Sequence, residues 1–426
     1  MAATQVVRTL SEPIQNGSLT VVRPDGTTEH FGSGEPRLTI RLQSGSLLDL
    51  LGDDPLMAFG EAYMNGQVEV EGDLADLVSF AIRNGLASVS DSPQRLVRAV
   101  RRVAAVGARS FRRHKKDIAH HYDIGNDFFR LWLDESLTYS CAYFRTPGET
   151  LEQAQRQKND YSLRKLRLQP NETLLDIGCG WGALVMRAAE GFGAQALGIT
   201  LSDEQYTAVK ANIESCGLHG KVAVQLRGYD ELARENTQFD KIVSIGMAEH
   251  VGKAHLAEFA HALETLLKPG GLALLHMITG VKKRPASGWT EKYIFPGTYI
   301  PTLPEIIDRL SEGNLRVWDV ENLAPHYKLT LDHWSDRFER SVPLIRTKFD
   351  ERFVRMWRLY LRASSASFRE GVIEVHQILL SRGQPRHLRL TREDLHPAPT
   401  LIGEGCGDVR AARASDPGQR IQPSTP

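Results

Sequence analysis

The stretch Thr173-Leu-Leu-Asp-Ile-Gly-Cys-Gly-Trp-Gly182 constrains the fold more than any other: an apolar run ends in an acid, glycines follow at alternate positions, and a helix-like segment begins. It reads as a strand, a tight turn and a helix N-terminus. Backbone N–H groups and the positive helix end can then approach a polar ligand that a side chain would hold away. The G-x-G-x-G spacing differs from the G-x-G-x-x-G of dinucleotide-binding turns, so the turn alone leaves open a purely structural strand-to-helix connection.

Strand and helix patterns alternate around this turn. Strands fall at 173–178, 195–200, 221–226, 239–245 and 271–278, and helices at 182–191, 203–215 and 255–267. A helix at 303–310, a strand near 315–322 and helical stretches from Thr330 to Leu380 follow. The alternation predicts an α/β fold with a doubly wound, mostly parallel sheet that binds ligands at the carboxyl ends of its strands. Residues 1–92 predict a small α+β domain: a hairpin with Pro24-Asp-Gly-Thr as its turn, a strand from Leu38, a helix from Pro55, a strand from Val68 and a helix from Leu74. The segment 93–116 holds Arg95, Arg98, Arg101, Arg102, Arg109, Arg112, Arg113, Lys115 and Lys116 and no acid. It predicts a basic linker helix, which fits either a solvated connector or an element drawn to anionic headgroups. Residues 117–395 form the larger domain, and the Gly, Pro and Ser of 396–426 predict a disordered tail.

Charge gives no steering to the whole chain, because Lys+Arg and Asp+Glu are equal at 52 each over 426 residues. Nucleic acid is therefore not an expected partner. Cysteines 141, 179, 216 and 406 show neither CxxC pairs nor a disulfide-like framework, which fits a reducing compartment, and the expected location is cytoplasmic. The N-terminus lacks an apolar signal core and no apolar run approaches a membrane span, so work on lipid would proceed from the surface. His114, His120 and His121 lack companions at metal-ligand spacing, and no metal site is expected.

Seven stretches, the glycine turn among them, resemble one family: His121-Tyr-Asp-Ile-Gly-Asn-Asp-Phe-Phe, Tyr139-Ser-Cys-Ala-Tyr-Phe, Asp176-Ile-Gly-Cys-Gly-Trp-Gly, Gly198-Ile-Thr-Leu-Ser, Ser244-Ile-Gly-Met-Ala-Glu-His-Val-Gly, Tyr293-Ile-Phe-Pro-Gly and His326-Tyr. Together they are similar to the cyclopropane-fatty-acyl-phospholipid synthases and the related mycolic acid cyclopropane synthases. The resemblance covers about 117–385 and, more loosely, the N-terminal region. It implies a class I methyltransferase-like, seven-stranded sheet and S-adenosylmethionine as methyl donor. The sulfonium methyl would pass to a cis double bond of an unsaturated phospholipid acyl chain, and a proton would leave it as a cyclopropane ring closes. It also implies a peripheral position on the inner face of the membrane, a lipid-presenting N-terminal domain and a possible homodimer.

The resemblance carries donor binding to Tyr139, Ser140, Asp176, Gly178, Gly180, Gly182, Thr200, Leu201, Gln205 and Tyr229. The second strand ends in Gly198-Ile-Thr-Leu-Ser rather than in the acid that many methyltransferases place there. A bound bicarbonate is the implied base, held by Cys141, Gly246, Glu249, His276, Ile278 and Tyr327, with Cys141 and Ile278 expected to donate main-chain N–H groups. Each residue alone also fits a structural role. Thr200 and Ser202 could cap a helix, Glu249 could favour a helix start, and His276 could be a satisfied core histidine. Phe128, Phe129, Trp132, Tyr143, Phe144, Tyr293, Phe295 and Tyr299 fit an acyl slot or ordinary core. A related methyltransferase leaving a methyl or methylene branch, or a non-catalytic lipid-binding module, are the alternative readings.

Overall fold

The computed structural model describes residues 14–44, 55–86, 125–283, 288–385 and 388–396. The basic segment 93–116, the start of the His121 motif and the tail from 397 lie outside these residues.

The N-terminal unit is a small sheet covered by two helices. Strands β1 (Gly17–Val22), β2 (Thr28–Ser33) and β3 (Arg37–Leu42) precede α1 (Pro55–Met64), β4 (Val68–Glu71) and α2 (Leu74–Arg83). The sheet order is β2-β1-β3-β4, with β1 and β3 parallel and the other pairs antiparallel. Leu19, Val21, Leu38, Ile40 and Leu42 bury one face, as period-two alternation requires, against Leu77 and Phe80 of α2. Asp73 caps α2 by accepting from the Ala75 N–H.

The larger unit opens with the short helix α3 (Asn126–Phe129) and α4 (Leu151–Lys165), the latter started by a capping box of Thr150 and Gln153. Then come β5 (Thr173–Ile177), α5 (Ala183–Phe192), β6 (Gln195–Thr200), α6 (Asp203–Ser215), β7 (Val222–Leu226), α7 (Tyr229–Ala233), β8 (Phe239–Ile245), α8 (Leu256–Leu266) and β9 (Leu267–Gly280). The chain finishes with α9 (Gly288–Tyr293), α10 (Leu303–Ser311), β10 (Leu315–Asn322), α11 (Ala324–Ile345), α12 (Glu351–Arg369) and β11 (Ile373–Arg382). The seven strands lie in the order β10-β11-β9-β8-β5-β6-β7. Those from β9 to β7 are parallel, whereas β11 runs antiparallel between β9 and β10.

Most elements fall where the sequence pattern places them. The exception is β11, which corrects the expectation of helix up to Leu380. Its residues Val375 to Ser381 are all buried because the strand sits inside the sheet, so it shows no alternation that would mark it as a strand.

The two units are held together by α12. Arg355, Arg362 and Arg369 recur every seventh residue and so share one face of that helix. Arg355 donates to the carbonyls of Tyr63 and Val68 and pairs with Glu69, while its guanidinium covers the Tyr63 ring. Arg362 pairs with Asp73, and Arg369 with Asp76 and Ser79. Trp289 of α9 packs directly on Gly60 of α1 and donates to the Met64 sulfur.

Candidate active site

The glycine turn after β5 forms one wall of a cavity of about 150 Å3 at the carboxyl ends of β5, β6, β7 and β8. The three glycines serve different ends. Gly178 and Gly182 have φ of +83° and +86°, and a Cβ at either would sit 2.8 Å from Met247 or 2.9 Å from Val209. Only Gly180, at φ +55°, has open space where its side chain would be, so it is the one that gives a ligand close access to backbone. Gly178 and Cys179 both donate to the Ile199 carbonyl, which fixes the turn to β6. Gly182 caps α5 with no side-chain hydrogen bond, leaving the first N–H groups of a ten-residue helix available beside the cavity.

Nine of the ten residues assigned to donor binding line this cavity: Tyr139, Ser140, Asp176, Gly178, Gly180, Thr200, Leu201, Gln205 and Tyr229. Gly182 stands behind it, packed on Val209. Thr200 and Gln205 are set by a small network. The Ser202 N–H donates to the Thr200 hydroxyl oxygen, and that hydroxyl donates to Gln205 Oε1 at 2.7 Å. Gln205 Oε1 is thereby occupied by Thr200, which leaves the amide N–H groups of this cavity-lining residue as its donors. Ser202 is the α6 cap, accepting from the Gln205 N–H, so the capping role belongs to Ser202 and not to Thr200. Asp176 is buried and accepts no hydrogen bond from the described residues, and burial, opposed by the Lys158 charge, pushes its carboxyl up to about 7.

Several lining residues were not foreseen, among them Lys158, Asn159, Trp181, Arg227, Met247 and His250. Trp181 donates to Asn126 at 2.6 Å, and Asn126 also donates to Glu204 of α6. The Gly125-Asn-Asp-Phe-Phe stretch thus clamps the glycine turn to the neighbouring helix. Lys158 of α4 donates to Ser140 Oγ at 3.1 Å, while Gln155 one turn earlier holds the Ser140 carbonyl.

Of the six residues assigned to the anion, Gly246 lines the cavity, and the other five lie outside its lining. They are nevertheless joined to one another through β9. The β8–β9 ladder ends with the Gly246 N–H donating to the His276 carbonyl at 2.8 Å. Glu249, on the 3-10 turn Ala248–His250 just beyond, then accepts from the next free amide of β9, Ile278 N–H, at 2.7 Å. The carboxylate so continues the ladder where the strand has stopped. The Ile278 amide is thereby taken by Glu249 rather than left to donate to an anion. Val375 pairs with Ile278 and accepts through its carbonyl from Leu323 N–H, and the Leu323 carbonyl accepts from Tyr327 N–H, which brings the start of α11 to the same place. The Cys141 thiol lies 3.9 Å from that Leu323 carbonyl.

Two buried polar atoms in this group have no hydrogen-bond partner among the described residues, Glu249 Oε2 and His276 Nε2. Burial pushes the Glu249 carboxyl up to about 7, against the pull of the Ile278 amide, so near neutral pH it is shared between the acid and its anion. Burial, with Lys158 and Lys165 adding to it, holds His276 well below the usual imidazole range, and the ring is neutral. The Ser162 hydroxyl proton goes to the Lys158 carbonyl, so Ser162 Oγ needs a donor, and Gln377 Nε2 supplies it. The same Nε2 then donates to His276 Nδ1 at 3.2 Å. This places the imidazole proton on the unpartnered Nε2. A neutral N–H donor and a half-protonated carboxyl fit a small oxyanion that itself carries a proton, such as bicarbonate. Burial raises the Cys141 thiol, which is fully enclosed and not poised as a nucleophile.

Of the aromatic residues, Phe128, Phe129, Trp132 and Phe144 are core; Phe128 and Phe129 meet Trp357 edge-to-face, Trp132 meets Trp334 in the same way, and Phe144 stacks on His333. Tyr143 stacks between Tyr161 and His326, Tyr293 donates to Glu61, and Tyr299 to Glu305. Phe129 and Trp132 back the cavity-lining Tyr139, and Phe295 stands between the cavity-lining His250 and Tyr360, whose hydroxyl bonds Tyr139 at 2.8 Å. Among the described residues no cluster of His, Cys, Asp or Glu could hold a metal ion, and no helix is long and apolar enough to cross a membrane.

A seven-stranded sheet with one antiparallel insertion and a ligand turn after its first strand defines a class I methyltransferase fold. The family model for mycolic acid cyclopropane synthetase matches residues 109–378, and one for a domain of unknown function matches 6–92. A probable fatty acid methyltransferase of Pseudomonas putida is 38% identical over 381 residues, 87% of this chain and 94% of that protein. The cyclopropane-fatty-acyl-phospholipid synthase of Escherichia coli K12 is 35% identical over 367 residues, 84% of this chain and 92% of that one. The crystal structure of the mycolic acid cyclopropane synthase CmaA1 complexed with SAH and CTAB superposes with a TM-score of 0.60 at 36% identity, covering 63% of this chain and 98% of that one. The chain belongs to the mycolic acid cyclopropane synthetase family, and with it to the S-adenosylmethionine-dependent methyltransferases.

Proposed function

We propose that the chain converts cis double bonds of unsaturated phospholipid acyl chains to cyclopropane rings at the inner membrane surface. S-adenosylmethionine, bound at the glycine turn, would supply the methylene carbon, and bicarbonate at the Glu249–His276 group would supply the base. The single observation that carries this reading is the pair of buried, unpartnered atoms Glu249 Oε2 and His276 Nε2. An acid and an imidazole left without partners in a core are costly unless a ligand completes them.

Each side chain has a definite task in this reading. Gln205 and the Gly180 backbone hold the nucleoside, Tyr139 and Ser140 border the methyl end, and Tyr229 closes the adenine side. His276 donates from Nε2 to the anion and Glu249 shares a proton with it, which keeps the base beside the reacting carbon with one buried negative charge rather than two. Tyr327 and the Cys141 backbone complete that enclosure, and the aromatic core behind Tyr139 excludes the water that would quench a cationic substrate. The N-terminal domain is assigned to lipid presentation and to dimer formation. Incubating the protein with methyl-labelled S-adenosylmethionine and vesicles of unsaturated phosphatidylglycerol tests the reading. Label recovered in a lipid heavier by one methylene supports it, and an unlabelled lipid fraction sinks it.

A second reading keeps the donor and changes the product to a methyl or methylene branch. Its support is that a fatty acid methyltransferase is as similar to this chain as a cyclopropane synthase is.

A further inference from the structure

Helix α4 carries two buried lysines seven residues apart. Lys165 has its counter-charge in the protein, where Glu321 receives its ammonium. Lys158 does not. It is 2% exposed, lines the cavity beside the glycine turn, and its ammonium, with three protons to donate, makes one hydrogen bond, to Ser140 Oγ. No carboxylate among the described residues lies within ion-pair distance of it. Asp134, whose charge acts on it, is already occupied by the N–H groups of Ser136 and Thr138. Asp176 lines the same cavity, and its buried carboxylate likewise has no hydrogen-bond donor among the described residues. The fold has thus placed a cation and an anion on one cavity where each feels the other's charge but the two make no direct ion pair. Burying such a pair without direct contact is unfavourable in the empty protein. A ligand that brings a carboxylate and an ammonium on neighbouring atoms would satisfy both.

We infer that Lys158 is a donor-binding residue, whose ammonium, seated on Ser140, receives the carboxylate of the amino-acid end of the methyl donor, with Asp176 facing the ammonium of the same group. This rests on the proposal that S-adenosylmethionine fills the cavity. Burial pushes Lys158 down to about 8 and Asp176 up to about 7, as expected for two groups whose charged forms await a partner. The Thr150–Gln153 capping box and the Gln155 bond to the Ser140 carbonyl fix the helix that presents the lysine, so the cation is preorganised.

Calorimetric titration of S-adenosylhomocysteine, its decarboxylated analogue and 5′-methylthioadenosine into wild type and Lys158→Met, in bicarbonate-free buffer, tests the assignment. Lys158→Met should weaken S-adenosylhomocysteine at least about tenfold, the worth of a charge-assisted hydrogen bond, and leave the other two within about twofold. Equal losses for all three ligands, or no loss, overturn it. So does a loss that appears only after bicarbonate is added, which would assign the cation to the anion group. Should the variant not fold, wild type alone decides, because it must bind the decarboxylated analogue at least about tenfold more weakly than S-adenosylhomocysteine, and equal affinities overturn the assignment. Wild type that binds none of the three refutes the donor reading itself, a different outcome from failure of Lys158 alone.

Discussion

Replacing Glu249 with Gln should make the protein more stable and inactive at once, and the size of the gain follows from burial. The Glu249 carboxyl is 5% exposed and raised from 4.5 to about 7 because its ionised form is desolvated. The unfolded chain releases this proton near pH 4.5, whereas the folded chain holds it until about 7. Between those values the folded state binds more protons, so stability falls as pH rises through the window and levels off above it. About 2.5 units at 1.36 kcal/mol each give a loss of about 3 kcal/mol that is complete near pH 8. Gln keeps the acceptor for the Ile278 N–H and carries no charge, so it resembles the protonated acid at every pH. Its stability advantage over wild type should therefore be under about 1 kcal/mol at pH 5 and grow by roughly 2 kcal/mol by pH 8, a Tm difference of several degrees. Asp176 titrates in the same range but is common to both proteins and cancels. Thermal melts of the two ligand-free proteins across pH 5–8 provide the assay. A Tm difference that does not change with pH, or that favours wild type at pH 8, refutes the argument that Glu249 is held at the cost of fold stability.

Two further outcomes follow from particular contacts. Arg355→Ala leaves the Tyr63 and Val68 carbonyls without their donor and Glu69 without its cation, and should lower stability by about 2–4 kcal/mol, read as a drop in the first thermal transition. Cys141→Ala should keep turnover within about tenfold of wild type, and Cys141 in the folded protein should escape N-ethylmaleimide at pH 8 by peptide mass mapping, because its buried thiol forms no thiolate.

Most of the sheet was legible in the sequence from period, short apolar runs and the turns between them. The helix α6 and the strands β5 and β6 announce themselves by period and by the glycine turn, and the donor cavity collects nine of the ten residues that the family motifs assign to donor binding. The strand β11 was hidden because it is paired on both edges and buried on both faces, which removes the alternation that separates strand from helix. Lys158 was hidden for the opposite reason. Helix α4 reads Leu-Glu-Gln-Ala-Gln-Arg-Gln-Lys-Asn-Asp, the composition of a solvated helix, yet Gln155, Lys158, Asn159 and Asp160 are all buried. Ser140 is the partner of Gln155 and Lys158, and Arg187 that of Asp160, all outside the helix, and pairing of that kind leaves no local periodic trace. The division of labour within the glycine turn was equally illegible, since which glycine faces ligand and which faces Met247 or Val209 depends on helices packed from elsewhere.

The central claim is that the carbon delivered to the lipid ends in a ring. Proton NMR of the acyl chains recovered from unsaturated phosphatidylglycerol vesicles, after turnover with S-adenosylmethionine and bicarbonate, tests this most directly. Upfield cyclopropane methylene resonances, with loss of the olefinic signal in equal measure, are the required result. A branched methyl doublet or an exocyclic methylene signal in their place would contradict the account and leave the methyl-transferring reading standing.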